Sequence, residues 1–278
     1  MPAFGRFDAQ DDNFIVMPKA IAEPNPVVTE LQNTWEILGK DDPLWAVLSH
    51  AEKRNGRWSV DEFLATGETE IARIHELLMK QAGAPVTFQQ VLDFGCGVGR
   101  LSLAWSKRSR EVTGVDIAQS MVQRAREICA ARGNLRFVQN THPDLRDFPD
   151  GRFDLVCSLI CLQHIPWSIA ARYVRDFSRV SAVGGLVAFQ IPSAPAARAS
   201  FGVIRRRLVE LLPKRLAAAY RRWRHGTAAV FEMHFTPASE VERVAVEAGL
   251  KLLLRVADES AGRGSEGLLF VFRKERSS

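Results

Sequence analysis

An apolar run, Val91-Leu92-Asp93-Phe94, opens directly into Gly95-Cys96-Gly97-Val98-Gly99-Arg100, which places three glycines at alternate positions ahead of a helical stretch. Glycines let a chain turn tightly and let a ligand reach the main chain without meeting a Cβ. The free N–H groups of the following helix then face whatever is bound. The pattern points to a nucleotide-type ligand. A second acid, Asp116, closes the next apolar run, Val112-Thr113-Gly114-Val115, 17 residues beyond Gly99. That is near the distance at which a second-strand carboxylate takes a pair of ribose hydroxyls. Alone, Asp116 also reads as a helix N-cap; beside the glycine loop the ribose role takes precedence. Ile117 and Met121 follow where they would flank an adenine ring.

Charge decides which nucleotide is expected. A pyrophosphate-binding loop reads GxGxxG, whereas here the position three after Gly97 is Arg100 and the glycine spacing is GxGxG. The strand before the loop carries Asp93, a carboxylate that would repel a pyrophosphate and attract a cationic amine. S-adenosylmethionine has an ammonium and a sulfonium and no phosphate, so electrostatics favours it over NAD. The expected cofactor contacts from these two strands are Asp93, Gly95, Cys96, Gly97, Gly99, Arg100, Asp116, Ile117 and Met121.

The elements that must hold these residues alternate in type. Strands are expected at Gln90–Phe94, Glu111–Asp116, Leu135–Gln139, Phe153–Leu159, Leu186–Ile191, Lys251–Val256 and Leu268–Phe272. Helices are expected at about Gly99–Lys107, Gln119–Arg132, Trp167–Ser181 and Ala238–Ala248, the last opened by Thr236 as N-cap and Pro237 at the first helical position. Alternation of this kind argues for an α/β fold, a doubly wound, mostly parallel sheet with helices on both faces. Ahead of it, residues 1–84 read as an N-terminal extension, loose over the first thirty residues and then helical, with residues 85–278 as the main domain. Ser59 and Glu62 form a capping box for a helix ending near Gly83. Trp35, Trp45 and Trp58 read as packing residues that seat this extension, with one of them bordering a substrate pocket as the alternative.

The chain resembles the class I, Rossmann-like S-adenosylmethionine-dependent methyltransferases. The resemblance is carried by Asp93–Arg100, Gly114-Val115-Asp116-Ile117, Phe153-Asp154-Leu155-Val156-Cys157-Ser158 and Leu162-Gln163-His164-Ile165, and it covers about Val86 to Lys274 apart from one insert. It implies a seven-stranded sheet of order 3-2-1-4-5-7-6 with the last strand antiparallel. It also implies a methionine end on the glycine loop, adenosine between the second and third strands, and the start of the loop after the fourth strand, Leu159 among it, backing the cofactor. The family commonly contacts the adenine amine through an acid in a Gly-Asp-Ala sequence. This chain has Asn140-Thr141-His142-Pro143-Asp144 instead, so either Asp144 or the Asn140–His142 backbone is expected there.

Two histidines are candidates on the acceptor side. His164 follows the fourth strand, at the C-terminal sheet edge where open α/β sheets bind ligands, and imidazole titrates near neutrality. It reads as a general base for an acceptor hydroxyl or as a structural histidine bonded to backbone. His234 precedes the last helix. Methyltransferases similar to this one that act on saccharides or lipids have a Met-His pair here, like Met233-His234, which implies acceptor contact, with capping or packing as the alternative.

The connection Ser193–Phe235 is longer than usual and carries nine Arg or Lys against Glu210 and Glu232, a local charge of +7 in a chain whose net charge is +5. Apolar residues such as Phe201, Ile204, Leu208 and Trp223 recur every three or four positions, so the insert after the fifth strand reads as two amphipathic helices split at Pro213. Three readings stay open for it: a lid with a solvated basic face, recognition of an anionic or lipid-linked acceptor, or contact of residues 199–225 with an anionic membrane surface.

The whole reading is of a methyltransferase acting on a small molecule, at oxygen, with a saccharide or lipid-linked acceptor. The alternatives are an RNA or protein methyltransferase and a non-catalytic cofactor-binding protein. Nucleic acid is not an expected partner: no [Asn/Asp]-Pro-Pro-aromatic motif follows the fourth strand, and the arginines are not interleaved with stacking aromatics. The four cysteines, Cys96, Cys129, Cys157 and Cys161, show neither CxxC nor zinc spacing. No metal is therefore expected, and a reducing cytoplasm fits. Met1–Asn13 lacks the basic-then-apolar order of a secretory signal, and no apolar run is long enough to span a bilayer; a peripheral place at a membrane's inner face is the one variant of the cytoplasmic expectation.

Overall fold

The computed structural model describes residues 25–82, 87–195, 216, 232–261 and 265–276. The first 24 residues and almost all of the basic insert, with its arginines and its expected helices, lie outside the described residues.

Seven strands form one sheet of order β3-β2-β1-β4-β5-β7-β6. They are β1 (Phe88–Phe94), β2 (Ser109–Asp116), β3 (Leu135–Gln139), β4 (Phe153–Ser158), β5 (Ser181–Pro195), β6 (Leu250–Ala257) and β7 (Ser265–Lys274). Strands β1 to β5 run parallel, and β7 pairs antiparallel with both β5 and β6. This is the expected topology, and each expected strand is present, most of them longer than the apolar run that marked them.

The sheet is apolar on both sides because both are covered, as parallel sheets require. Neighbouring β1 residues show the two-residue period. Leu92 packs with Val174, Phe177 and Val241 of α6 (Trp167–Val180) and α7 (Ala238–Glu247), whereas Val91 packs with Ile71, Ile74, Leu101 and Trp105 of α3 (Val60–Ala82) and α4 (Arg100–Trp105). The helix α5 (Gln119–Ile128) covers the β2–β3 edge through Val122 and Ala125 on Phe137.

The N-terminal helices α1 (Pro26–Asp41) and α2 (Pro43–Val47) begin where the chain supplies caps. Asn25 Oδ1 accepts the amides of Val27 and Val28, and a proline stands at the start of each helix. Ser59 and Glu62 open α3 as the capping box requires, with the Glu62 amide donating to Ser59 Oγ at 3.2 Å. Helix α5 has no side-chain cap of its own; Glu36 of α1 supplies one, accepting the Ser120 amide at 3.0 Å and the Ser120 hydroxyl at 3.1 Å. Helix α3 lies against α4 at Gly67, where a Cβ would stand 2.5 Å from the Arg100 carbonyl oxygen.

One helix start is shifted from expectation. Thr236 donates its amide to the Pro192 carbonyl and is buried, so Pro237 takes the N-cap position and α7 begins at Ala238. Among the described residues no helix is long and apolar enough to cross a membrane.

Candidate active site

The strand order turns back between β1 and β4, and the crevice beyond their C-terminal ends is where an open α/β sheet receives a ligand. A cavity lies there. Gly95, Gly97, Asp116, Ile117, Met121, Asn140 and Leu159 form its sheet side, and Val28, Leu31, Trp35, Ala46 and Val47 of the N-terminal helices roof it. His164, Ile165, Ile169 and Tyr173 close the end beyond β4.

The glycine loop is shaped by its own backbone. Gly95, Gly97 and Gly99 have φ of +75°, +53° and +84°, a region that side chains with a Cβ rarely enter. A Cβ at Gly97 would stand 2.7 Å from a methyl of Val47, so α2 sits directly on the loop. Gly99 serves packing: its Cβ would stand 2.9 Å from Cys129 Sγ and 3.0 Å from the Phe137 ring, which lets α4 and α5 close on the sheet.

Asp116 joins the loop to the second strand. Its Oδ2 accepts the Gly97 amide at 2.8 Å and its Oδ1 the Ala118 amide at 2.9 Å. Burial raises its pKa, and these main-chain N–H groups oppose the shift. A carboxylate has about four lone-pair positions, so two remain for a diol. Ile117 and Met121 supply apolar flanks for a flat base beside it.

Other expected contacts stand elsewhere. The Asp93 side chain is behind the loop, 1% exposed and off the cavity wall, where its carboxylate accepts the Ser102 hydroxyl at 2.5 Å. Burial pushes its pKa up to about 6, against the pull of Ser102 and Arg100. In this arrangement Asp93 buttresses α4 and the loop rather than lining the cavity. Cys96 and Gly99 face the α5 layer and are also off the wall. Arg100 points away entirely. It is 2% exposed and ion-paired with Glu70 at 3.1 Å, with Thr66 also in reach at 3.3 Å, so it fastens α3 rather than a ligand. Asp144 is clasped by Arg146 through two bonds of 2.6 Å and is off the wall. Asn140 takes the wall position instead, held by its own bonds to the Asp144 carbonyl and the His142 amide.

On the acceptor side, the structure brings the two histidine segments together. The His164 Nδ1 is 2.8 Å from the Glu232 carbonyl oxygen, so it carries the proton and Nε2 accepts from the Gln163 amide at 3.1 Å. The His234 amide donates to the Gln163 carbonyl at 2.7 Å. Burial lowers the His164 pKa to about 4, with a further contribution from His234. His164 lines the cavity, whereas the His234 side chain does not. Trp35 is the tryptophan on the wall, the alternative that the sequence left open for one of Trp35, Trp45 and Trp58: its ring meets His164 edge-on, centroids 5.2 Å apart. Its sequence neighbourhood gave only helical spacing, which marks a core-facing position and not which core.

The residues present fit S-adenosylmethionine. The wall has a diol acceptor, main chain bared at two glycines and apolar flanks for a base. It contains no Lys or Arg among the described residues, which disfavours a phosphate. No group of three or more His, Cys, Asp or Glu suited to a metal ion occurs among the described residues.

These features stand in a segment that is similar to known proteins. Residues 91–185 match the family model described as a methyltransferase domain. A ubiquinone biosynthesis O-methyltransferase from Alkalilimnicola ehrlichii is 32% identical over 45% of this chain and 51% of its own length. An ajmaline N-methyltransferase from Rauvolfia serpentina is 32% identical over 36% of this chain and 34% of its own. The chain thus spans about half or less of the length of these curated relatives. The crystal structure of magnesium protoporphyrin IX methyltransferase from Synechocystis PCC 6803 with bound SAH shares the fold, with a TM-score of 0.61 at 16% identity over 89% of this chain and 99% of that one. Residues 91–185 thus carry a match to a methyltransferase domain, and the sheet around them has the order that the class I resemblance implied.

Proposed function

We propose that this protein transfers a methyl group from S-adenosylmethionine to an oxygen of a small molecule. The observation that carries the reading is the wall of the β1–β2 cavity, where Asp116, Gly95 and Gly97 meet Ile117 and Met121 with no Lys or Arg among the described residues and with His164 held neutral by burial. The bound cofactor would present an electrophilic methyl: the acceptor oxygen forms the C–O bond as the C–S bond breaks, sulfur keeps the electron pair, and the hydroxyl proton passes to solvent or a base. The residues supply position. Gly95 and Gly97 take the amino-acid end along the main chain, Asp116 the ribose hydroxyls, and Ile117, Met121 and Asn140 the base. Orientation of this kind contributes several kcal/mol or more to such a transfer. His164, neutral and engaged with Gln163 and Glu232, shapes the acceptor end; Trp35 and the α1–α2 roof exclude water.

Two features bear on the acceptor. The +7 insert supports an anionic or lipid-linked one, whereas the cleft beyond Ile160 has Glu52, Glu259 and Glu266 on its walls, with Asp258 paired to Arg73, and its one Lys or Arg among the described residues is Arg100, already paired with Glu70. Carboxylates repel anions and accept hydrogen bonds from hydroxyls, so we infer an uncharged, hydroxyl-bearing acceptor of saccharide type. The relative from A. ehrlichii, named as an O-methyltransferase, supports oxygen.

Incubation with labelled S-adenosylmethionine and a metabolite and lipid extract, followed by mass spectrometry, tests the reading. A methylated hydroxyl compound of low mass is expected. Label confined to RNA or protein would overturn it.

A further inference from the structure

Ile160, in the loop after β4, has φ of +51°. Glycine is the default residue for that backbone region, and a β-branched side chain there is a genuine outlier that persists only when its surroundings hold it. Asn55, the other such non-glycine among the described residues, is of a type that tolerates the region and lies in a turn. Ile160 is held by Gln190 of β5, whose Oε1 accepts its amide at 3.1 Å. Gln190 is fully buried, and its Nε2 has no hydrogen-bond partner among the described residues. A buried carboxamide with half its capacity unused costs stability, and it stands behind a strained isoleucine.

The place explains the expense. Among the described residues, Ile160 alone is on the walls of both cavities: the cofactor cavity of Gly97 and Asp116, and the larger cleft of Leu48, Asp258, Glu266 and Leu268. An acceptor in that cleft would meet the cofactor cavity at this residue.

We propose that Ile160, fixed by Gln190, is the partition between cofactor and acceptor, and that its bulk limits the size of the group the sulfur presents. Gln190 is a positioning residue acting through Ile160. The proposal rests on the methyltransferase reading above and adds the residue that sets transfer-group size.

The test needs no acceptor. Calorimetry compares two unreactive analogues of S-adenosylmethionine with nitrogen in place of the sulfonium, one bearing methyl and one benzyl. The wild type is expected to bind the benzyl analogue at least tenfold more weakly. Ile160→Gly, which adopts the same φ without strain, should bring the two affinities within threefold, and Gln190→Leu should narrow the ratio at least threefold. A ratio in Ile160→Gly equal to the wild-type ratio would overturn the proposal, whether or not both affinities fall together. Failure of the wild type to bind the methyl analogue would instead remove the cofactor reading beneath it.

Discussion

The Oδ2 of Asp116 accepts the main-chain N–H of Gly97 at 2.8 Å, so the acid that ends β2 holds the loop that ends β1. Two adjacent parallel strands therefore deliver one prepared surface: Asp93 pairs in register with Gly114, which places the glycine loop and Asp116 side by side at the same sheet edge. The carboxylate is oriented before any ligand arrives, which lowers the ordering cost of binding.

Arg100 and Glu70 join the N-terminal helices to the sheet. Their guanidinium–carboxylate pair, at 3.1 Å, buries Arg100 and most of Glu70, and removing Arg100 leaves Glu70 only the half-exposed Arg73, 3.8 Å away. Arg100→Met is expected to lower the unfolding free energy by about 3 kcal/mol in urea titration while the folded variant keeps its cofactor affinity. A loss below ~1 kcal/mol would mean that the pair does not seat α3.

Asp93 makes stability depend on pH. Its native pKa is raised to about 6 by burial, above the unfolded value, so the native state binds the extra proton between those two values. Its contribution to stability thus falls as pH rises through that window and levels off above pH 6. Between pH 5 and pH 7 the wild type should lose about 1 kcal/mol relative to Asp93→Asn, measured by denaturant unfolding at both pH values. Parallel pH curves for the two proteins would contradict this placement.

His164 behaves oppositely to a free imidazole. Its pKa, lowered to about 4 by burial, keeps the ring neutral from pH 5.5 upward. Turnover should show no inflection near 6.5 from this group, and His164→Gln should reduce kcat about tenfold, short of the hundredfold or more that general-base removal typically costs. A bell or step centred near pH 6.5 that disappears in His164→Gln would assign it a proton-transfer role.

Much of the fold was legible because the sheet is buried on both faces: runs such as Val91–Phe94 and Phe153–Ser158 announce themselves, and Ser59 with Glu62 marks a helix start in four residues. The cavity floor was legible for the same reason, since glycine spacing and Asp116 encode backbone geometry directly. Side-chain direction was not. Asp93 and Arg100 have the charges that a ligand site suggests, yet Ser102, nine residues after the one, and Glu70, thirty residues before the other, decide where they point. Which of the three tryptophans borders the cavity was unreadable because Trp35 belongs to a helix brought over the sheet by tertiary packing, and Ile160 was unreadable because it is marked only by its φ.

The most direct test is calorimetry of the wild type and Asp116→Ala with S-adenosylmethionine and with NAD. The expected result is saturable S-adenosylmethionine binding by the wild type, weakened at least tenfold in Asp116→Ala, with no NAD binding by either. Equal S-adenosylmethionine affinity in both proteins, or NAD binding by the wild type, would contradict the account.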